Sequence, residues 1–269
     1  MNKYKLAAFD LDGTLLNKKG EITAQAAATL KGLVDMGLIV CLATGRHFRT
    51  AEGIAKDIGL NGPVLCYNGG VIRYAGADKP YYANYLEQGI IHELIDFTYE
   101  NGLYLQLYDE QNRIVVDKIL PETKIDPDFY TTETVELGDL RKASSFTSPK
   151  MMVYNFDTAV IDKLIPYLKE RWGDKLYVAQ SSPHLAEMLN RGVNKRSALE
   201  RLTADLGIAR EEVFACGDSS NDAEMLAFAG CGCAVANGMD VTKAQADYIC
   251  QNENEQGVIE AINKFILNK

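Results

Sequence analysis

Asp10 and Asp12 follow the apolar run LAAF and precede Gly13-Thr14 in the stretch KLAAFDLDGTLLN. Acidic residues beside Gly-Thr commonly serve turns and helix caps, because their oxygens accept from free backbone N–H groups. A second carboxylate two positions earlier asks for more. In extended geometry both side chains leave on the same side, where like charges repel unless a cation or a shared proton intervenes. The pair therefore calls for a metal or a proton between its members, and for further polar groups supplied by the rest of the chain.

Three other polar signatures also stand directly after short apolar runs: ATGR at 43–46, YNGG at 67–70 and GDSSND at 217–222. In parallel α/β sheets ligands bind beyond the carboxyl ends of the strands, so signatures in that position converge on one edge. Any one of them alone could be turn chemistry. Together they suit phosphoryl transfer. Asp10 and Asp218, with a backbone carbonyl of the first loop, can hold Mg²⁺, a hard ion satisfied by oxygen ligands. A phosphate bridging to that ion finds donors at Thr44 and Gly45, a side-chain amide at Asn221 and a positive partner in Lys195. Lys195 by itself says little, since a lysine in a first helical turn is commonly a solvated surface residue.

The elements that must position these groups follow a simple grammar. ITAQAAATLKGLVDMG places Ile22, Ala26, Leu30, Leu33 and Val34 on one helical stripe, with Thr23 as cap and Gly37 as stop. LIVCLATG is a continuous apolar run of the kind shown by parallel strands covered on both faces. A helix with Phe48, Ala51, Ile54, Ala55 and Ile58 inward and the strand PVLC follow, which is βαβαβ and hence a parallel sheet. The last third returns to this pattern, with a helix from Asn194 to about Leu206, the strands EEVFACGD and GCAVAN, and a closing helix with Val258, Ile262 and Phe265 inward. Between about Ala83 and Glu187 tyrosines cluster, and LYLQLYD and MMVYNFD alternate like half-exposed strands, separated by two helical stretches. The expected architecture is an α/β core of residues 1–82 and 188–269 with an inserted α+β domain over 83–187.

Composition narrows the function classes. The 269 residues are 47% hydrophobic and 24% charged, as in a globular protein of one large or two ordinary domains. A net charge of -9 with no basic run argues against nucleic acid. No apolar run approaches the roughly 18 residues of a membrane span, and MNKYKLAAFD meets an acid too early for a signal peptide. The expectation is a cytoplasmic protein, monomeric or weakly dimeric, that makes no use of a membrane. Cys41, Cys66, Cys216, Cys231, Cys233 and Cys250 lie in apolar runs and read as reduced core residues. The Cys231/Cys233 pair lacks the partner pair a zinc site needs.

At this point a resemblance can be named. DLDGT after its strand resembles the first motif of the haloacid dehalogenase superfamily, ATGR the second, NRGVNKRSAL the third and GDSSNDAEML the fourth. The closing AVANGMDVTKAQADYICQNENEQGVIEAI is similar to the ending of its Cof-type phosphatases. The resemblance covers the first and last thirds of the chain in the right order. It implies a Rossmann-like parallel-sheet core with an inserted cap, and hydrolysis of a small phosphorylated metabolite, a sugar phosphate first of all, through an aspartyl phosphate. Asp10 is then the nucleophile and Asp12 the general acid and base. Leu11, Thr44, Gly45, Lys195 and Asn221 line the phosphate, and Asp10, the Asp12 backbone and Asp218 ligate Mg²⁺, with Asp222 in a layer behind. Arg196 stands where relatives more often carry Gly. A phosphomutase of similar build, and a non-enzymatic phosphate-accepting signalling domain, remain open as alternatives. Within the insert, His92, Tyr104, Tyr108, Arg113 and His184 are candidates for contact with the leaving group, and nothing in the sequence chooses among them.

Overall fold

The structure is a computed structural model that describes residues 3–121, 123–125, 129, 132–180 and 182–268. The chain divides into two compact units: residues 1–45, 51–82 and 194–269 form the first, and residues 46–50 and 83–193 the second.

The first unit is built on β1 (Leu6–Phe9), α1 (Ala24–Asp35), β2 (Ile39–Ala43), α2 (Phe48–Ile58, whose first residues cluster with the second unit), β3 (Val64–Cys66), β4 (Val71–Arg73) and β5 (Tyr82–Ala83, with Ala83 already counted in the second unit). Thr23 caps α1 by accepting from the Ala26 N–H at 3.2 Å, and Ala26, Leu30 and Leu33 face inward at the helical period. Val34 is only half-buried.

The second unit contains α3 (Gln88–Glu100), β6 (Tyr104–Tyr108), β7 (Ile114–Val116), β8 (Thr134–Glu136), β9 (Lys150–Tyr154), α4 (Thr158–Trp172), β10 (Leu176–Ala179) and β11 (Leu185–Asn190). Its sheet has the order β10-β11-β9-β6-β7-β8 and is antiparallel except where β7 pairs with β8. Leu105, Leu107, Met151, Val153, Ala186 and Met188 pack with residues of α3 and α4, among them Leu94, Leu168 and Trp172. The opposite face was expected to be half-exposed, but β6 and β9 are buried at every position. One buried ion pair lies on it, while the amide of Gln106 is buried there without a partner among the described residues. Lys150 Nζ donates to Glu187 Oε1 at 2.9 Å with both side chains under 5% exposed, and lies over the Tyr108 ring. The boundary expected at Glu187 falls inside β11, whose hydrogen bonds to β9 and β10 keep it in this unit as far as Val193.

The chain then returns through α5 (Lys195–Leu206), β12 (Val213–Gly217), α6 (Ala223–Phe228), β13 (Cys231–Ala234), α7 (Asp240–Lys243), β14 (Tyr248–Ile249) and α8 (Asn254–Phe265). The first unit's sheet has eight strands in the order β14-β13-β12-β1-β2-β3-β4-β5. The run from β14 to β3 is parallel, and β4 turns back antiparallel on β3. Leu6, Ala8, Cys41, Ala43, Leu65, Val213 and Ala215 fill one side with Leu199, Leu202 and Leu226. All six cysteines are free and buried.

Candidate active site

Strand register brings the polar signatures together. Phe9 at the end of β1 is level with Leu42 of β2 on one side and Cys216 of β12 on the other. Asp10, Thr44 and Asp218 therefore leave three adjacent strands at the same edge of the sheet. The chain order β1-β2-β3 on one side and β12-β13-β14 on the other makes β1 the point where strand order reverses, the place at which open α/β sheets bind their ligands.

The turn Leu11–Leu15 carries the first motif over the edge. Gly13 has φ +79°, and a Cβ there would lie 2.4 Å from Asp218 Oδ2, so only glycine allows this approach. Thr14 Oγ1 then donates to Asp218 Oδ1 at 2.8 Å, and Ser219 Oγ donates to Asp218 Oδ2 at 3.1 Å.

At the centre lies Lys195, fully buried in the first turn of α5. Asn194 caps that helix by accepting from the Ser197 N–H at 2.7 Å, while the Ser197 hydroxyl accepts from the Asn194 N–H at 3.1 Å. Lys195 Nζ donates to Asp10 Oδ1 and to Asp222 Oδ1, both at 2.6 Å. The other oxygen of Asp222 accepts from the backbone N–H groups of Asp218 and Ser219, at 3.1 and 3.0 Å. Asp222, expected in a layer behind the site, thus supports the Asp218 loop and also shares the site's lysine.

Asp10, Asp218 and Asp222 offer oxygens within 4.8 Å of one another. Burial first, then the negative field of Asp222 with Asp218 behind it, pushes the Asp10 carboxyl well above the usual range, against the opposing pull of Lys195. Burial and Asp222 likewise raise Asp218, against the hydrogen bonds from Thr14 and Ser219. Burial alone would lower Lys195, but Asp10 and Asp222 outweigh it and hold the ammonium above its ordinary value. Three carboxylates against one ammonium leave an excess of negative charge in a dry place, and all the donor atoms are oxygen. Such a set fits a hard divalent cation such as Mg²⁺.

The remaining predicted residues are divided between the two units. Thr44 is buried and Gly45 half-buried just beyond β2. The Leu11 side chain is fully buried, which leaves its backbone as the only part able to meet a phosphate. Asp12 is exposed and does not join the acidic cluster. Asn221 Nδ2 donates to Asn68 Oδ1 at 2.8 Å. Arg196 points away to Glu200. In the second unit, Arg113 pairs with Asp109, and His184 Nδ1 lies 3.1 Å from the Asn155 carbonyl oxygen, its ring stacked on Tyr154. The Tyr104 hydroxyl donates to the Lys118 carbonyl, and His92 is half-buried on α3. Sequence reasoning missed Asn237, whose Nδ2 donates to the Gly13 carbonyl at 2.7 Å while its Oδ1 accepts from the Asn254 N–H at 2.8 Å. The one local signal was an Asn-Gly pair after a strand.

Comparison with known proteins identifies the family. The chain matches the haloacid dehalogenase-like hydrolase family over residues 7–262. It is 28% identical to the 5-amino-6-(5-phospho-D-ribitylamino)uracil phosphatase YitU of Bacillus subtilis, with 98% of both chains covered. It is 29% identical to the HMP-PP phosphatase of Serratia proteamaculans, over 90% of this chain and 87% of that one. Among solved structures, a haloacid dehalogenase-like hydrolase from Bacteroides thetaiotaomicron superposes with a TM-score of 0.86 at 31% identity, covering 97% of this chain and 99% of its own. The chain thus belongs to the haloacid dehalogenase-like hydrolases.

Proposed function

We propose that the protein is a Mg²⁺-dependent phosphatase that hydrolyses small phosphorylated metabolites, sugar phosphates foremost, through an aspartyl phosphate on Asp10. The observation that carries this reading is Lys195, fully buried and bonded at once to Asp10 and Asp222. A lysine in that position holds Asp10 Oδ1 and leaves Oδ2 to meet phosphorus. It also supplies positive charge where the phosphoryl oxygens gather. The phosphatase names of the curated relatives point the same way.

In the first step Asp10 Oδ2 forms a bond to phosphorus as the bond to the leaving oxygen breaks, and Asp12 gives that oxygen its proton. In the second, Asp12 takes a proton from water, the water oxygen bonds to phosphorus, and the Asp10 carboxylate is released with inorganic phosphate. An exposed Asp12 suits a group that must exchange protons with leaving group and water in turn. Thr44, Gly45 and Asn221 donate to the phosphoryl oxygens. Asp10 and Asp218, with the Asp12 carbonyl, would hold the Mg²⁺, which neutralises charge on the phosphoryl group when bound.

Phosphate release over a panel of metabolite esters tests this reading, with protein stripped of metal and with Mg²⁺ or Ca²⁺ restored. We expect turnover with Mg²⁺, and inhibition by Ca²⁺ because its longer bonds and larger ligand number draw both Asp10 oxygens into coordination. Full activity of the metal-stripped protein would sink it.

A further inference from the structure

The YNGG signature is assigned no chemistry by the mechanism above, yet its backbone is the most unusual in the first unit. Tyr67, Asn68 and Gly69 succeed one another at φ +51°, +53° and +97°, a left-handed run that non-glycine residues seldom adopt. Backbone of this kind persists where its surroundings hold it, and it clusters at functional sites.

Four neighbours drawn from three other motifs hold it here. The Asn68 N–H donates to the Thr44 carbonyl at 2.9 Å. A Cβ built on Gly45 would lie 3.1 Å from Asn68 Oδ1, so the Asn68 side chain lies directly against that glycine. A Cβ on Gly69 would come within 2.5 Å of the Asn194 carbonyl oxygen, which places the turn against the capped start of α5, where Lys195 stands. The Asn68 side chain, in a residue only 1% exposed, accepts through Oδ1 from Asn221 Nδ2 at 2.8 Å.

That last bond has a definite sense. A primary amide has two N–H donors on one end and an acceptor oxygen on the other, and it can rotate to present either. Against the Asn68 oxygen, Asn221 must present its NH₂ end. One N–H is then bound and the other is left for a further acceptor. Turned the other way against that same Asn68 oxygen, Asn221 would set two acceptors face to face, so the sense of the Asn68 amide sets the sense of the Asn221 amide. Asn221 Oδ1 is itself buried without a partner among the described residues, so the bond from the NH₂ end to Asn68 is what holds this amide.

We propose that Asn68 is a positioning residue of the phosphoryl pocket. Its side-chain oxygen fixes the amide of Asn221 so that an N–H, never the oxygen, faces the substrate's phosphoryl group, and its N–H ties the Thr44 loop to the same point. This deepens the phosphatase reading and rests on it, since a phosphoryl group is what the oriented N–H would meet.

Asn68→Gly is the sharpest test, because glycine accepts the left-handed backbone without strain and removes only the amide. Binding of inorganic phosphate to the full chain in Mg²⁺ is read by calorimetry, alongside KM and kcat for p-nitrophenyl phosphate and the Tm. Loss of one charge-assisted hydrogen bond corresponds to phosphate binding weakened roughly tenfold or more, with KM raised in step and Tm little changed. Added to Asn221→Ala, the same substitution should weaken phosphate binding no further, because the group it orients is gone. Additive losses in the double variant, or unchanged phosphate affinity with only Tm or kcat lowered, would overturn the proposal. Asn68→Ala serves as a second variant with the same expected rise in the dissociation constant, and failure of both to fold would assign Asn68 to structure alone. The two readings part cleanly. A protein that binds phosphate in an Asn68-dependent way yet hydrolyses no ester contradicts the phosphatase reading. One that hydrolyses esters with phosphate affinity indifferent to Asn68 contradicts this one.

Discussion

Lys195, buried completely between Asp10 and Asp222, sits in the least forgiving position in the site. Removing one member of a buried ion network leaves the others as uncompensated charge, which commonly costs about 3–5 kcal/mol. Lys195→Met keeps the length and loses the charge, and we expect a loss of that order in denaturant unfolding of the metal-free protein. Adding Asp222→Asn should restore part of it, since one of the stranded carboxylates is then neutral. If Lys195→Met unfolds like the native protein, the network does not carry the charge balance described here. At this scale the sequence was informative about residue types and poor on partners. Asp10 and Asp218 were legible because they sit in signatures at strand ends, whereas Lys195, in a first helical turn, stood out only through the resemblance of NRGVNKRSAL to a family motif. That Asp222 shares the lysine, that Asn68 holds Asn221 and that Asn237 holds Gly13 were not, because these contacts join residues far apart in the chain and depend on how the loops fold back.

Helices and strands were legible wherever one rule governed them. Thr23 caps α1 and Asn194 caps α5 as their residue types suggest, and the apolar runs became the parallel strands β1, β2 and β12. Rules competed in the second unit. Alternation in β6 and β9 read as half-exposed sheet, yet pairing such as Lys150 with Glu187 lets polar side chains lie in a buried face. The closing elements show a different device. Glu260 on α8 accepts from the Tyr248 hydroxyl at 2.7 Å and from the backbone N–H groups of Gln251 and Asn252 at 3.0 Å, which pins the helix to the end of β14. Burial tends to raise this carboxyl, but those hydrogen bonds together win and hold it below its ordinary value. A carboxyl lowered by folding stabilises the protein above its unfolded pKa, and that contribution disappears as the pH falls through the folded value. The Tm advantage of native protein over Glu260→Gln should therefore hold from neutral pH down to about 4.3, the ordinary glutamate value, and close below it. A gap independent of pH would count against this role for the ionised form.

Over the whole molecule, each unit has its own sheet and its own apolar core. Parallel βαβ order was readable from the alternation of apolar runs and amphipathic stripes, and so was the existence of an insertion. Its limits were less so, because β11 looks like the start of a return to the first sheet until its partners β9 and β10 are known. No helix among the described residues is long and apolar enough to cross a membrane. What the molecule builds with this arrangement is one acidic, lysine-centred edge on the first unit, and in the proposed reaction Asp10 there bonds to phosphorus and does not merely hold a metal. The most direct measurement takes Asp12→Ala with Mg²⁺ and an aryl phosphate, whose leaving group needs little protonation, so that the step requiring a base becomes limiting. The phosphorylated enzyme should accumulate, and borohydride should convert Asp10 to homoserine, seen as a mass change confined to the peptide that contains it. A normal burst of aryl alcohol with Asp10 unmodified, under conditions that trap a control acyl phosphate, would contradict the account.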